Sequence, residues 1–189
     1  MNDLTLRFHF LKEIEKLKTV TRGNRTLDDR FENSAEHSWH VALMAVLLED
    51  YSSESLDILK VVKMLLIHDI VEIDAGDTWL YSEDQADKQI VENEAADRIF
   101  NMLPDSVAIE YRMLWDEFEA RVTDEAKYAA VIDAIQPLLN HVLTGSPETG
   151  VIPVKQVMSR KAFIKDFAPA LWGHVASLIE ESVEKGFYA

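Results

Sequence analysis

Cysteine is absent from the 189-residue chain, which excludes disulfides, thiolate zinc sites and a cysteine nucleophile. A chain with no thiols suits a reducing compartment. Turn-forming residues are scarce, with six glycines and five prolines, and that scarcity favours long helices over many short strands. Basic residues are outnumbered, 19 against 34 acidic ones, for a formal charge of −15. Binding to a nucleic acid polymer or an anionic membrane surface rests on many cationic contacts, so both are disfavoured as partners. No uninterrupted apolar run approaches ~18 residues, so no membrane-spanning helix is expected. Residues Met1 to Leu4 lack a basic segment leading into an apolar run, so no signal peptide is expected either. A cytoplasmic location follows as the expectation. Repeats, low-complexity tracts and Gly/Ser linkers are missing too, and a single domain over 1–189 is predicted.

The residues present read as helices. With 48% hydrophobic residues the chain can bury a core. Apolar spacing predicts helices over residues 4–17, 34–49, 56–71, 84–103, 104–121, 124–143, 154–166 and 169–185. Asn33 or Ser34 can cap the second, with Glu36 as the reciprocal partner, and Pro104 suits a first helical turn. No alternating strand pattern stands out, so the predicted fold is an all-α, compact multi-helix bundle. Residues 18–33 read as an ordered loop carrying a net charge of +1 in a strongly acidic chain. Trp39 reads as core or helix packing, Trp79 as a loop residue that stacks on a base or simply packs, and Lys155 to Lys165 as a solvated face. The C-terminal helices are expected to complete the core or a dimer interface.

A few residues break the apolar pattern in a chemically suggestive way. His37 falls in the first turn of a helix. His68 and Asp69 end a very apolar helix, and Asp133 lies between Ile132 and Ile135 inside another. A carboxylate on an apolar helix needs a cation, a helix N-terminus or a metal. Two imidazoles and two carboxylates match the ligand set of Mn²⁺, Co²⁺, Ni²⁺, Fe²⁺ or Zn²⁺. Structural histidines and ion-paired aspartates are the competing explanation.

The order His37, His68-Asp69, Asp133 resembles the signature of the HD-domain metal-dependent phosphohydrolases. Within that superfamily, Arg30 to Ser38, His68 to Asp77 and Ile132 to Leu138 resemble segments of the HD-type 5′-deoxynucleotidases, over roughly residues 10–143. The resemblance implies a helical bundle holding one divalent cation on His37, His68, Asp69 and Asp133. It implies that Glu72 is the general acid or base, and that Asp77 contacts a sugar hydroxyl or the leaving oxygen. Arg22 and Arg30 would bind the phosphate, since arginine offers bidentate donors. With no histidine between Asp69 and Asp133, the site is expected to be mononuclear. His40 is expected to support or pack beside His37 rather than ligate. Some relatives carry a tryptophan after the early arginine; this chain has Gly23 there. The activity so implied is removal of the 5′-phosphate from (deoxy)nucleoside monophosphates by metal-activated water, in a homodimer. An HD-type pyrophosphohydrolase or phosphodiesterase is one alternative; a non-enzymatic metal- or nucleotide-binding module is another.

Overall fold

Helices dominate the structure, a computed structural model that describes residues 1–77, 85–145 and 152–189. Helix α1 (Asp3–Glu13) runs into a 3-10 turn, Ile14–Thr19. The segment expected to be a loop contains a small antiparallel hairpin instead, β1 (Thr21–Arg25) and β2 (Phe31–Asn33). Alternation could not reveal it: β1 is Thr-Arg-Gly-Asn-Arg, with no apolar residue to alternate. Its stability comes from docking, since Ser34 N–H donates to the Val20 carbonyl at 3.0 Å and β1 packs on helix α7.

Helix α2 (Ser34–Leu47) starts at the expected box: the Asn33 side chain accepts from Glu36 N–H, and the Glu36 carboxylate accepts from Asn33 N–H. Helix α3 (Ile58–Ile67) is capped by Asp57. A short α4 (Glu72–Ala75) occupies part of the expected loop, and Gly76 stops it at φ +73°. Then come α5 (Gln85–Phe100), α6 (Asp105–Ala120), preceded by Pro104, and α7 (Asp124–Thr144). The predicted 154–166 helix is two pieces, α8 (Val154–Lys161) and α9 (Ile164–Phe167), and α10 (Pro169–Glu184) closes the bundle. No described helix is long and apolar enough to cross a membrane.

Core packing around α7 sets the frame. On one side it meets α2 and α3, where the Tyr128 hydroxyl donates to the Ala45 carbonyl at 2.9 Å. On the other it meets α9 and α10, whose Ile164, Leu171, Val175 and Ile179 are buried. Trp39 does not join this core. It is 64% exposed, on an outer stripe of α2 with Leu43, Val46 and Leu47, because residues at spacings of four, seven and eight share one helix face. Trp79 lies outside the described residues.

Candidate metal centre and its cavity

Three helices bring polar side chains to one buried point by continuing their apolar faces. On α2, His37 shares the buried face of Val41 and Met44. On α3, the buried residues Val61, Met64 and Leu65 lead, at helical spacing, to His68 and then Glu72. Asp133 projects from the most apolar part of α7, among buried Val131, Ile132 and Ile135.

Ligand atoms of His37, His68 and Asp69 all lie within 4.8 Å of one another. Asp133 Oδ1 sits 2.9 Å from His37 Nε2 and 3.6 Å from His68 Nε2. His68 Nε2 is 3.1 Å from Asp69 Oδ1, and His37 Nε2 is 3.9 Å from Asp69 Oδ2. Ligand atoms ~2.1 Å from a shared ion are separated by about 3.0–3.4 Å, so His37, His68 and Asp69 approach the span of a coordination shell, which Asp133 adjoins through the two histidines.

The outward nitrogens are fixed too. His68 Nδ1 lies 2.8 Å from the Leu65 carbonyl oxygen, which obliges that nitrogen to carry a proton and turns Nε2 toward the cluster. The Gln136 amide N–H donates to Glu32 Oε1 at 2.7 Å. Its carbonyl oxygen therefore faces His37 Nδ1, at 3.0 Å, and accepts that N–H. Both imidazoles thus turn Nε2 toward the same point, where a divalent cation could take the place of the proton that His37 shares with Asp133, the usual arrangement behind metal-ligating histidines. His68 Nε2 is buried with no hydrogen-bond partner. Such an orphan, beside carboxylates, fits a divalent cation of the hard-to-borderline class. His40 stands behind this group, its Nδ1 3.3 Å from Gln136 Nε2.

The electrostatics are those of a crowded acidic pocket. Burial opposes the charged form of Asp133, but the hydrogen bond with His37 and the nearby His68 imidazole hold it well below the usual carboxylate range. Burial likewise works against charged His68, yet Asp69 and Asp133 outweigh it and raise its pKa to about 9. Burial and then the Asp69 charge push Glu72 up to about 8. Its Oε2 accepts from the Ser34 hydroxyl at 2.6 Å. Arg22 compensates the acids. Its Nη1 donates to Asp69 Oδ2 at 2.7 Å and lies 3.9 Å from Glu72, while Nε lies 3.7 Å from Glu32. Burial lowers the Arg22 pKa, but Asp69, Glu72, Asp77 and Asp133 raise it further.

A cavity of about 590 Å³ opens from this cluster and includes Arg22, His68, Asp69, Glu72, Asp77 and Asp133 in its walls. That size suits a small organic ligand. Arg30 is elsewhere: it is half exposed at the surface, its Nη2 2.6 Å from Glu36 Oε1 and its Nε 3.4 Å from Asp28. The hairpin turns it away from the cavity and toward the α2 capping box, so the structure does not bring the two expected phosphate arginines together.

Two groups in this region escape a reading of the sequence. Gln136, fully buried, joins His37 to Glu32. Lys161 is not on a solvated face: it is 5% exposed and lines the cavity. The signal for it was spacing, since Lys161 follows buried Val157 by four and precedes buried Ile164 by three.

Comparisons with known proteins agree with this architecture. The family model described as HD domain matches residues 14–172. A 5′-deoxynucleotidase of Xenopus laevis is 29% identical over 133 residues, covering 69% of this chain and 65% of its own. One from Pectobacterium atrosepticum is 25% identical over 151 residues, covering 74% and 76%. Among solved structures, a protein of Magnetospirillum magnetotacticum described as a predicted metal-dependent phosphohydrolase superposes with a TM-score of 0.93 at 43% identity, over 99% of this chain and 96% of that one. Spanning most of its length, and with its helices arranged as in that relative, the match establishes that the chain belongs to the HD-domain family.

Proposed function

We propose that this protein is a metal-dependent phosphohydrolase that removes the 5′-phosphate from nucleoside monophosphates, deoxynucleotides among them. The observation that carries the reading is the pair of imidazoles whose Nε2 atoms converge beside Asp69 and Asp133 at the wall of a ligand-sized cavity. The description of several relatives as 5′-deoxynucleotidases supports the choice of substrate.

His37, His68, Asp69 and Asp133 would hold one divalent cation, which supplies a Lewis acid for the phosphoryl group and lowers the pKa of water. Glu72 would move the proton. Held by Ser34 and tuned upward by burial, it would hold a proton near neutral pH and give it to the leaving 5′-oxygen, and its ionised fraction would accept one from the attacking water. Arg22 gives one N–H to Asp69, and its remaining donors are available to phosphate oxygens. Asp77, on the same cavity wall, would accept from a sugar hydroxyl. Gly23 also lines the cavity, and a Cβ there would meet nothing within 4 Å. Position 23 therefore leaves the cavity wall open where some relatives carry a tryptophan. The homodimer expected from the resemblance would have the exposed α2 stripe available.

A panel of ribo- and deoxynucleoside 5′-monophosphates, assayed for free phosphate with Mn²⁺ or Co²⁺, tests the reading. Release from at least one nucleotide is expected. Glu72→Gln should keep fold and metal while lowering turnover by about 10²–10⁴-fold. Silence across the panel, or near-full activity in the variant, removes the proposal or the role of Glu72 respectively.

A further inference from the structure

Lysine is almost never fully buried without a partner, because its ammonium loses hydration that only an opposite charge or several acceptors can replace. Lys161 departs from that rule. It is 5% exposed, and its Nζ donates to the Ala134 carbonyl at 2.8 Å. An ammonium has three N–H donors, and among the described residues no carboxylate oxygen lies within the 4.0 Å of an ion pair. Its charged neighbours do not resolve the deficit. Arg121 and Arg160 line the same cavity. Arg22 and Arg121 both act to lower the Lys161 pKa, and Asp133 counters them.

Place in the fold matters as much as burial. Ala134 follows Asp133 directly, so the Lys161 ammonium is tied to the same stretch of α7 that carries a candidate metal ligand. It also shares the cavity with Arg22. An anion bound beside the metal cluster would find N–H donors arriving from α8 as well as from the β1 strand.

We propose that Lys161 is a second phosphate-binding cation of this site, taking a phosphoryl oxygen of a phosphomonoester that Arg22 contacts from the hairpin side. The inference rests on the phosphomonoester reading above and deepens it: the cavity selects a dianionic group by two buried cations on different elements. A lysine kept only as a tether between α8 and α7 would need the carbonyl contact alone, and a methionine of similar length would fill its space.

The test uses the metal-loaded full chain and inorganic phosphate as the probe, titrated calorimetrically into the wild type, Lys161→Met and Lys161→Arg. Loss of one charge-assisted hydrogen bond should weaken phosphate binding by roughly tenfold or more in Lys161→Met. The KM for a monophosphate and the inhibition constant of product phosphate should rise by a similar factor. Metal stoichiometry should stay the same, the melting temperature should not fall, and Lys161→Arg should recover part of the affinity. Lys161→Gln replaces the methionine variant if that one does not fold. Phosphate affinity within twofold of wild type in the neutral variants overturns the proposal, as does a wild type that binds no phosphate. A melting temperature lowered equally in the methionine and arginine variants, with matching affinity losses, shows a tether and overturns it too. If no monophosphate is hydrolysed, the proposed function fails, and the phosphate titration still decides the role of Lys161.

Discussion

Arg22 and Lys161 are both buried cations in the wall of one cavity, and their surroundings are opposite. Arg22 has Asp69, Glu72 and Glu32 within 4 Å. Lys161 has a backbone carbonyl and, nearby, further positive charge. Burying an ion pair costs desolvation that good geometry repays, and removing one partner exposes the full cost of the other. Arg22 is therefore part of the folded state's own charge balance. Lys161 is a charge that folding has to carry. The contrast teaches that burial alone does not tell a cation already balanced by the fold from one that is not; the inventory of opposing charge does.

That contrast can be broken most forcefully at Arg22. Arg22→Met leaves three clustered carboxylates uncompensated, and metal-free protein should lose about 3–5 kcal/mol of stability in urea unfolding. A loss below about 1 kcal/mol would mean the acids are neutralised in another way. Lys161 should behave in the reverse sense. Its folded pKa, about 8, lies below its ordinary 10.5, so the unfolded chain binds more protons between those values. Stability should thus rise as pH increases from about 8 toward 10.5, by at most roughly 3 kcal/mol from this group. Subtracting the Lys161→Met curve from the wild-type curve isolates the effect, and a flat difference would overturn it. The smallest effect is expected at Arg30. Surface pairing with Glu36 and Asp28 contributes little, so Arg30→Ala should leave KM and melting temperature unchanged. A raised KM would return Arg30 to the substrate site.

Much of the helical frame was legible because long amphipathic helices write their period into the chain, as at α6 after Pro104 and α2 behind Asn33. The hairpin was not, since Thr21–Arg25 has no apolar alternation and is held by what it docks against. Among the site residues, His37, His68 and Asp133 could be picked out because a polar group on an apolar stripe is conspicuous, and the structure gathers them with Asp69. Arg30 could not be separated from Arg22 by composition: both are arginines in one polar segment, and only the turn of the hairpin sends one inward. Lys161 was hidden for a different reason. It lies among four other basic residues, Lys155, Arg160 and Lys165 close by and Arg121 across the wall, so its neighbours in sequence suggested solvent while its helical phase pointed to the core.

The meeting of His37 with Asp133 has a consequence for the folded chain as a whole. Those residues are 96 positions apart, with His68 and Asp69 between them. An ion held by all of them would act as a removable cross-link closing two long loops at once. The entropy such a closure withdraws from the unfolded chain grows only with the logarithm of loop length, so nearly all of it is already gained at these separations. The same contacts that prepare the chemistry would then fasten α2, α3 and α7 into one cooperative unit, and a chelator would act on this protein as a denaturant does.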